Sequence, residues 1–262
     1  MSIIELDAVH KRFGSLVVLD GVSLAIPERE TTAIVGPSGT GKSVLLKHIV
    51  GLISTDAGRV LCFGTDMGTA GEAALYAVRR RMGMLFQDGA LFDSLTVGEN
   101  VAFPLDHHRP DLSPTARRAI VEDTLAKVGM AGTAPRAPSS LSGGQRKRVG
   151  LARAIVSRPE IVLFDEPNSG LDPLTSDAID ALILDMKREL GVTFVVITHD
   201  IVGAVRVADH IAMLSGGRLA AWGRTAEVLS SPEPVVRAFF SRNLVLPDAP
   251  GGSARLPIVR LV

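Results

Sequence analysis

The sequence of 262 residues contains very little cysteine and no long apolar run. Its single cysteine, Cys62, excludes an internal disulfide and a zinc site built from cysteines. Charged residues, glycine or proline interrupt every apolar stretch before it reaches the roughly 18 residues that a membrane span needs. Residues 1–5 lack the basic and then apolar pattern of a signal peptide. We therefore expect a globular, cytoplasmic chain that is long enough to bury a sizeable core.

An excess of positive charge and a high aromatic content are also missing. Lys and Arg total 28 and Asp and Glu total 28, so the formal net charge is zero, whereas nucleic-acid binders usually carry a basic excess. Aromatic residues make up 4% of the chain, which disfavours a surface that stacks on bases. We expect no nucleic-acid partner. The neutral composition also argues against direct binding to lipid headgroups, so any contact with a membrane would run through a partner protein.

The spacing of apolar residues predicts an α/β core with a helical segment inserted in it. Short apolar runs bounded by turn residues predict strands at residues 3–9, 16–26, 31–35, 59–63, 82–86, 161–164, 192–197, 210–214 and 218–222. Helical spacing predicts helices at residues 42–50, 75–81, 115–128, 143–156, 173–190, 201–208, 225–229 and 234–240. Between about residues 92 and 157 helical spacing dominates and strand signals disappear.

A complete phosphate-binding motif of the form G-x-x-x-x-G-K-[ST] occupies residues 36–43, between a predicted strand and a predicted helix. Its glycines let backbone N–H groups turn toward phosphates, and the helix N-terminus adds partial positive charge. Lys42 is expected to reach the β- and γ-phosphates of ATP, and Ser43 to bind Mg²⁺. The predicted nucleotide-binding residues of this segment are Gly36, Pro37, Ser38, Gly39, Thr40, Gly41, Lys42, Ser43 and Val44.

Two carboxylates, Asp165 and Glu166, follow the apolar strand at residues 161–164. A buried strand would deliver both to its end, where Asp165 would join the Mg²⁺ shell and Glu166 would polarise the attacking water. An acidic pair at the end of a strand can also serve only as ordinary caps. Because a phosphate-binding loop is present in the same chain, we favour the catalytic interpretation.

Residues 141–145, Leu-Ser-Gly-Gly-Gln, lie about 100 residues after the phosphate loop and about 20 residues before the acidic pair. Gln87, residues 169–172 and His199 complete a series of motifs with fixed order and spacing. With this series the sequence resembles the ABC ATPases over about residues 1–240. Such an ordered set is far more specific than any of its motifs alone, since an isolated Leu-Ser-Gly-Gly-Gln segment would be a simple capping turn.

The resemblance implies roles for the side chains of these motifs. It implies catalytic roles for Glu166, His199, Lys42 and Gln87, and an Mg²⁺ shell made by Ser43, Gln87 and Asp165. It implies nucleotide contacts for Phe13, Ser142, Gly143, Gly144, Gln145 and Asp172. Phe13 would stack on adenine, although an aromatic residue at this place can also pack within the N-terminal sheet.

The same resemblance implies the architecture: an α/β ABC ATPase (P-loop NTPase) core with an N-terminal antiparallel β region and an inserted helical subdomain at about residues 92–157. The ATPase domain would cover residues 1–240, followed by a C-terminal extension at residues 241–262. Members of the family form head-to-tail dimers, in which each ATP lies between the phosphate loop of one copy and the signature motif, residues 141–145, of the other. This extension would dock on the second copy, or would form a frayed terminus.

A closer resemblance is carried by residues 75–92 and 100–105, which look like the ATPase of Mla-type phospholipid transporters, related to the Mce systems. It implies two membrane permease subunits, a periplasmic MCE-domain lipid-binding protein and a small STAS-domain protein as partners. The chain would then work on the cytoplasmic side of the bacterial inner membrane, held there by the permease. Other transporter classes, for amino acids, lipoproteins or organic solvents, stay open. An ABC ATPase that acts on DNA would need a long coiled-coil or zinc insertion, which this sequence lacks.

The apolar residues Leu91, Phe92, Leu95 and Val97 follow Gln87 closely. We hypothesise that Phe92 or Leu95 lines a groove for a cytoplasmic helix of the permease; the alternative is that these residues build the core of the helical subdomain. The neighbouring pair His107 and His108 has no third ligand at a suitable spacing for a metal, so we predict a solvated loop there.

Overall fold

The computed structural model describes residues 1–242 and residue 244, and backbone packing divides the chain into two units. Unit 1 contains residues 1–75 and the described residues from 196 onward, and unit 2 contains residues 76–195. The elements along the chain are β1 (Ser2–Phe13), β2 (Leu16–Pro27), β3 (Thr31–Val35), α1 (Lys42–Ile49), β4 (Ala57–Cys62), β5 (Thr65–Asp66), α2 (Glu72–Arg79), β6 (Met82–Leu85), α3 (Val97–His108), α4 (Pro114–Lys127), α5 (Gly143–Ile155), β7 (Ile161–Asp165), α6 (Pro173–Leu190), β8 (Thr193–Ile197), α7 (Ile201–Val207), β9 (His210–Ser215), β10 (Arg218–Arg224), α8 (Thr225–Leu229) and α9 (Pro234–Phe240).

Unit 1 contains an antiparallel sheet with the strand order β2-β1-β4-β5. Ile4 of β1 lies opposite Ile26 on one side and Cys62 on the other. Much of β2 alternates between exposed and buried residues, as expected for a strand that covers a core with one face. This sheet is the antiparallel β region that the sequence predicts near the N-terminus.

A second group of strands in unit 1 places the phosphate loop. The strand β3 is buried along its whole length and pairs in parallel with β9, with Val35 opposite Met213. A tight turn at residues 215–217 leads from β9 into the antiparallel strand β10. Helices α7, α8 and α9 pack on this group and bury an apolar cluster that includes Val35, Met213 and Phe240. Full burial of one such large side chain stabilises the fold by about 1.5–3 kcal/mol.

The only tryptophan of the sequence, Trp222 on β10, stacks on the imidazole of His210 in β9. The ring centroids are 5.2 Å apart and the ring planes differ by 25°. The Nδ1 atom of His210 also lies 2.8 Å from a carboxylate oxygen of Glu30. The start of β9 is thereby fixed to its neighbours by both stacking and polar contact.

Unit 2 is built around the helix α5 and the parallel pair of strands β6 and β7. Two glycines let α5 approach β6 closely. A Cβ atom on Gly83 would lie 2.0 Å from the carbonyl oxygen of Ala154, and one on Gly150 would lie 2.8 Å from Leu85 Cδ1. Both contacts are shorter than side chains tolerate, so α5 packs against the strand over a surface that only glycine permits.

The predicted strands and helices are all present, with boundaries that shift by a few residues. The sequence reading missed α3, however, and was wrong about His107 and His108, which form the last turn of α3 rather than a solvated loop. The residue pair Thr96 and Glu99 forms a capping box at the start of this helix, and that pattern is readable in the sequence. Pro104 lies inside this helix. Because proline in a helix interior usually breaks the helix, it argues against predicting a helix here.

Among the described residues, no helix combines the length and the apolar character that crossing a bilayer requires. Of the predicted C-terminal docking tail, residues 241–262, residue 243 and residues 245–262 lie outside the described residues.

The side chain of Cys62 is fully buried, and its thiol donates to the carbonyl oxygen of Ile49 at 3.4 Å. Burial raises the pKa of this thiol to about 12. Since the thiolate is the reactive form, we predict that a thiol-specific chromogenic reagent leaves the folded protein unmodified at mildly alkaline pH. The same reagent should modify one thiol per chain in guanidinium chloride. Rapid modification of the folded protein would contradict the prediction.

Candidate active site

The loop at residues 36–41 joins β3 to α1 in unit 1 and is shaped by three glycines with left-handed backbone angles. Gly36, Gly39 and Gly41 have φ values of 148°, 79° and 98°. A Cβ atom on Gly36 would lie 2.2 Å from the carbonyl oxygen of Leu214, and one on Gly41 would lie 2.8 Å from Leu19 Cδ2. A side chain at either place would therefore push the loop away from its neighbours.

The ammonium group of Lys42, at the first position of α1, lies inside the curve of this loop. Its Nζ donates to the carbonyl oxygens of Gly36 at 2.8 Å and Pro37 at 3.1 Å, and the residue is 7% exposed. The hydroxyl of Thr40 donates to the same Pro37 oxygen at 2.8 Å. The first turn of α1 contains no acidic residue, and the side chain of Ser43 is exposed there. The loop thus combines a cation, a helix N-terminus and an accessible hydroxyl, which suits it to bind phosphate groups.

Two more predicted residues of unit 1, His199 and Phe13, are exposed. His199 follows β8 in a loop held by a hydrogen bond from the backbone N–H of Thr198 to the carbonyl oxygen of Ile34, at 3.2 Å. Because Ile34 belongs to β3, this bond ties the loop to the strand that leads into residues 36–41. Phe13 ends β1 with 50% of its surface exposed, and the Lys11 ammonium lies 5.6 Å from the ring centre. An exposed ring suits stacking, whereas the alternative of packing within the sheet would bury it.

In unit 2 the acidic pair stands at the end of β7. Residues Ile161 to Phe164 are fully buried, and the half-buried Asp165 and Glu166 follow them. Glu166 has a left-handed φ of 52°, a conformation that non-glycine residues rarely adopt. Such strained residues persist only where the surrounding contacts hold them, and they concentrate at functional sites.

The segment after β6 carries Gln87, whose side-chain N–H donates to the hydroxyl of Ser169 at 3.1 Å. Arg153, on α5, donates to the carbonyl oxygens of Gly89 and Ala90, both at 2.8 Å. The segment is thereby fixed to the turn after β7 at one end and to α5 at the other. The sequence analysis does not single out Arg153, because α5 carries several cations and their spacing does not show which of them is buried.

The signature residues form the start of α5. Ser142 and Gln145 make a capping box, with the backbone N–H of Ser142 donating to Gln145 Oε1 at 3.0 Å. A Cβ atom on Gly144 would lie 2.6 Å from Thr175 Cγ2, so this glycine permits close contact with α6. Gly143 is half-buried beside it. The Ser142 hydroxyl accepts a hydrogen bond from the backbone N–H of Gln145 at 3.3 Å, so the N-terminus of α5 is well capped, and Ser142 itself is exposed at the positive end of the helix dipole.

Asp172 caps α6 in the same way, which is a structural role that the sequence reading did not assign to it. Its carboxylate accepts hydrogen bonds from the backbone N–H of Thr175 at 3.0 Å and from the Thr175 hydroxyl at 2.6 Å. These bonds lower the pKa of Asp172, with the side-chain bond from Thr175 as the largest cause. The local geometry therefore accounts for an aspartate here without a nucleotide.

A groove of about 570 Å³ opens on unit 2 beside the segment that follows Gln87. Its lining is mostly apolar and includes Tyr76, Met84, Phe86, Phe92, Phe103 and Pro104. Phe92 is 43% exposed and packs on Phe103 with a centroid distance of 4.8 Å. Buried Asn100 fixes the backbone of Phe92, because it accepts from its N–H at 2.8 Å and donates to its carbonyl oxygen at 3.1 Å.

Phe92 lines this groove, and the predicted contact of the groove with a permease helix stays a prediction. Leu91 and Leu95 are half-buried and do not line this groove. Val97, the first residue of α3, is fully buried. The four apolar residues therefore divide between the surface and the core.

Comparisons with known proteins give consistent results. Residues 19–169 match the family model described as ABC transporter. The chain is 42% identical over 244 residues to the probable ribonucleotide transport ATP-binding protein mkl of Mycobacterium bovis, covering 93% of this chain and 68% of that protein. It is 40% identical over 227 residues to the intermembrane phospholipid transport system ATP-binding protein MlaF of Escherichia coli K12, covering 87% and 84%. The solved dimer of the ATP-binding cassette MJ0796, in a post-hydrolysis state with ADP and Pi, is 34% identical, with a TM-score of 0.77 over 85% of this chain and 98% of that one.

Proposed function

Since this chain belongs to the ABC transporter family and is the ATP-hydrolysing subunit of a transporter, we propose that it powers the transport of phospholipid between membranes of the bacterial envelope. The observation that carries the choice of phospholipid is the identity of 40% to MlaF, which extends over 87% of this chain and 84% of MlaF. The resemblance of residues 75–92 to Mla-type ATPases supports the same choice.

In this proposal Lys42 and the backbone N–H groups of residues 36–41 bind the β- and γ-phosphates of ATP. Glu166 accepts a proton from water as the water oxygen attacks the γ-phosphorus and the bond to the bridging oxygen of ADP breaks. His199 contacts the γ-phosphate and is coupled to Glu166. Gln87 contributes to the same step, and Phe13 stacks on the adenine ring.

The donors that we propose for Mg²⁺ are the hydroxyl of Ser43, the amide oxygen of Gln87 and the carboxylate of Asp165. The exposed hydroxyl and the half-buried carboxylate are hard oxygen donors, and Mg²⁺ typically takes one or two carboxylates together with phosphate oxygens. Bound Mg²⁺ would neutralise charge on the β- and γ-phosphates. The described residues contain no cluster of three or more His, Cys, Asp or Glu that could hold a metal by itself, which agrees with a site completed by the nucleotide.

We further propose that two copies enclose two ATP molecules head to tail, with Ser142, Gly143, Gly144 and Gln145 of one copy facing the ATP held by residues 36–43 of the other. Asp172 would stand at this contact between copies. The remaining partners are a membrane permease, an MCE-domain lipid-binding protein and a small STAS-domain protein. The chain would be peripheral to the cytoplasmic side of the inner membrane, held by the permease.

The cargo is tested by transport in vesicles. The chain is purified with the permease that co-purifies from its own membranes, reconstituted in liposomes that contain a fluorescent phospholipid, and supplied with ATP. ATP-dependent transfer of the phospholipid supports the proposal. Transfer of a ribonucleotide instead, the cargo named for the relative mkl, would replace phospholipid as the cargo. Transfer of neither would refute the choice of phospholipid and leave the ATPase assignment intact.

The groove beside Phe92 is our candidate for the contact with the permease. Phe92→Asp places a charge at an exposed apolar surface, so permease binding should fall at least about tenfold while basal ATP hydrolysis changes less than about twofold. Binding is measured by co-purification and by stimulation of ATP hydrolysis. Leu52→Asp is the matched control, because Leu52 is 64% exposed and lies outside the groove. Unchanged binding by the Phe92 variant would refute this contact.

A further inference from the structure

A lysine that the proposed mechanism does not use is buried in unit 2. Lys147 lies on α5 and is only 3% exposed. Its Nζ donates to three backbone carbonyl oxygens, those of Ser169 at 2.5 Å, Pro167 at 2.7 Å and Glu166 at 3.5 Å. An ammonium group has three N–H donors, so these carbonyl groups match its full donor set.

The three carbonyl groups belong to one turn, residues 166–169, which starts at the strained residue Glu166. The backbone N–H of Ser169 closes the turn on the carbonyl oxygen of Glu166 at 3.2 Å. Asn168 fixes its outer side by donating to Asp180 at 2.8 Å. The turn is therefore curled around a cation, and the left-handed φ of Glu166 sets the direction in which the carboxylate leaves the backbone.

The helix that supplies Lys147 also contacts the other parts of the site in unit 2. Its first residues form the signature capping box, and Arg153 two turns further on holds the segment that follows Gln87. Gln87 in turn donates to Ser169, in the same turn that Lys147 holds. One rigid helix thus fixes the positions of Gln87, Glu166 and Ser169 through two buried cations.

A buried lysine is a poor way to gain stability, because the cost of removing the charge from water offsets much of its attraction to carbonyl dipoles. Burial lowers the pKa of the Lys147 ammonium, while the charges of Asp88 and Glu166 act in the opposite direction. A methionine would fill the same space without this cost. The arrangement is better explained by the geometry that it imposes on residues 166–169 than by its contribution to stability.

We propose that Lys147 is a positioning residue for ATP hydrolysis: it holds the turn at residues 166–169 on α5 and so aims the carboxylate of Glu166. This inference rests on the proposed role of Glu166. Lys147 touches neither water nor nucleotide in this proposal, and it acts only through the backbone of the turn.

The test compares Lys147→Met and Lys147→Arg with the wild-type chain at full length. A displacement of about 1 Å at a reacting group costs up to about 10²-fold in rate, so kcat of Lys147→Met should fall by about that factor. The KM for ATP should stay within about threefold, because the phosphate loop is untouched. Lys147→Arg keeps the charge and several donors and should recover part of kcat. Arg148→Met is the matched control on the same helix, because Arg148 donates to the carbonyl oxygen of Val128 instead, and it should leave kcat within about twofold.

A double-variant cycle with Glu166→Gln separates positioning from a general structural role. If Lys147 acts through Glu166, adding Lys147→Met to Glu166→Gln should not lower the single-turnover rate further. Additive losses would overturn the inference about Lys147 and leave the proposed function standing. A folded Lys147→Met variant with unchanged kcat would do the same. So would a variant whose loss of kcat is matched by an equal loss of nucleotide binding. A wild-type chain without ATPase activity would refute the proposed function as well. If Lys147→Met does not fold, Lys147→Gln takes its place in the same cycle.

Discussion

Replacing Glu166 by glutamine should lower the rate of ATP hydrolysis at least about 10²-fold while ATP still binds. The amide has the shape of the carboxylate but cannot accept the proton of the attacking water. The backbone of the turn is held by other contacts, including the hydrogen bond from Ser169, so the fold should persist. Hydrolysis is measured as phosphate release at saturating ATP, and binding is measured separately with a fluorescent ATP analogue.

The control for this prediction is Glu160→Gln, immediately before β7. The Glu160 carboxylate pairs with Arg81 at 2.6 Å, with 54% of its side chain exposed. Exposed pairs of this kind contribute at most about 1 kcal/mol to stability, so the rate should change little. A Glu166→Gln variant that hydrolyses ATP as fast as the Glu160→Gln control would show that another group accepts the proton.

Replacing Lys42 by alanine should abolish most ATP binding and lower hydrolysis at least about 10²-fold. The ammonium group is enclosed by the loop that it serves, where it donates to Gly36 and Pro37. Its removal takes away a side-chain cation held within the curve of residues 36–41, while the N–H groups of the loop remain. Affinity for ATP and ADP is measured by titration calorimetry, and phosphate release gives the rate.

Lys47→Ala is the matched control, since Lys47 is exposed in the last turn of the same helix. It should bind and hydrolyse ATP as the wild type does, which separates a local effect at the loop from a general loss of positive charge on α1. Retention of ATP affinity by the Lys42→Ala variant would contradict the assigned role.

Sequence reasoning identified the parts of the candidate site that are continuous along the chain. The phosphate loop could be predicted because the motif, the preceding apolar strand and the following helix are all local. The acidic pair after β7 was visible for the same reason: an entirely apolar strand ends at two carboxylates. These features depend on residues within about one strand or one helix of each other, over which periodicity is informative.

Contacts between distant segments could not be predicted in this way. Lys147 and the turn at residues 166–169 are about 20 residues apart, and nothing in the pattern of α5 shows which carbonyl groups its ammonium meets. The sequence does not predict α3 although its capping box is local, because Pro104 inside the helix argues against a helix there. The groove around Phe92 needs α3 in place, so its lining was only partly predicted.

The stacked pair of Trp222 and His210 gives the chain a built-in optical probe. Indole emission depends on the ring that lies against it, and this is the only indole in the sequence. The β9 strand that carries His210 pairs with β3, which leads directly into the phosphate loop. Intrinsic fluorescence excited at the indole band therefore reports from unit 1 alone, without a label or a reactive thiol. Occupancy of the loop can be followed in real time if it alters the spacing of these two rings.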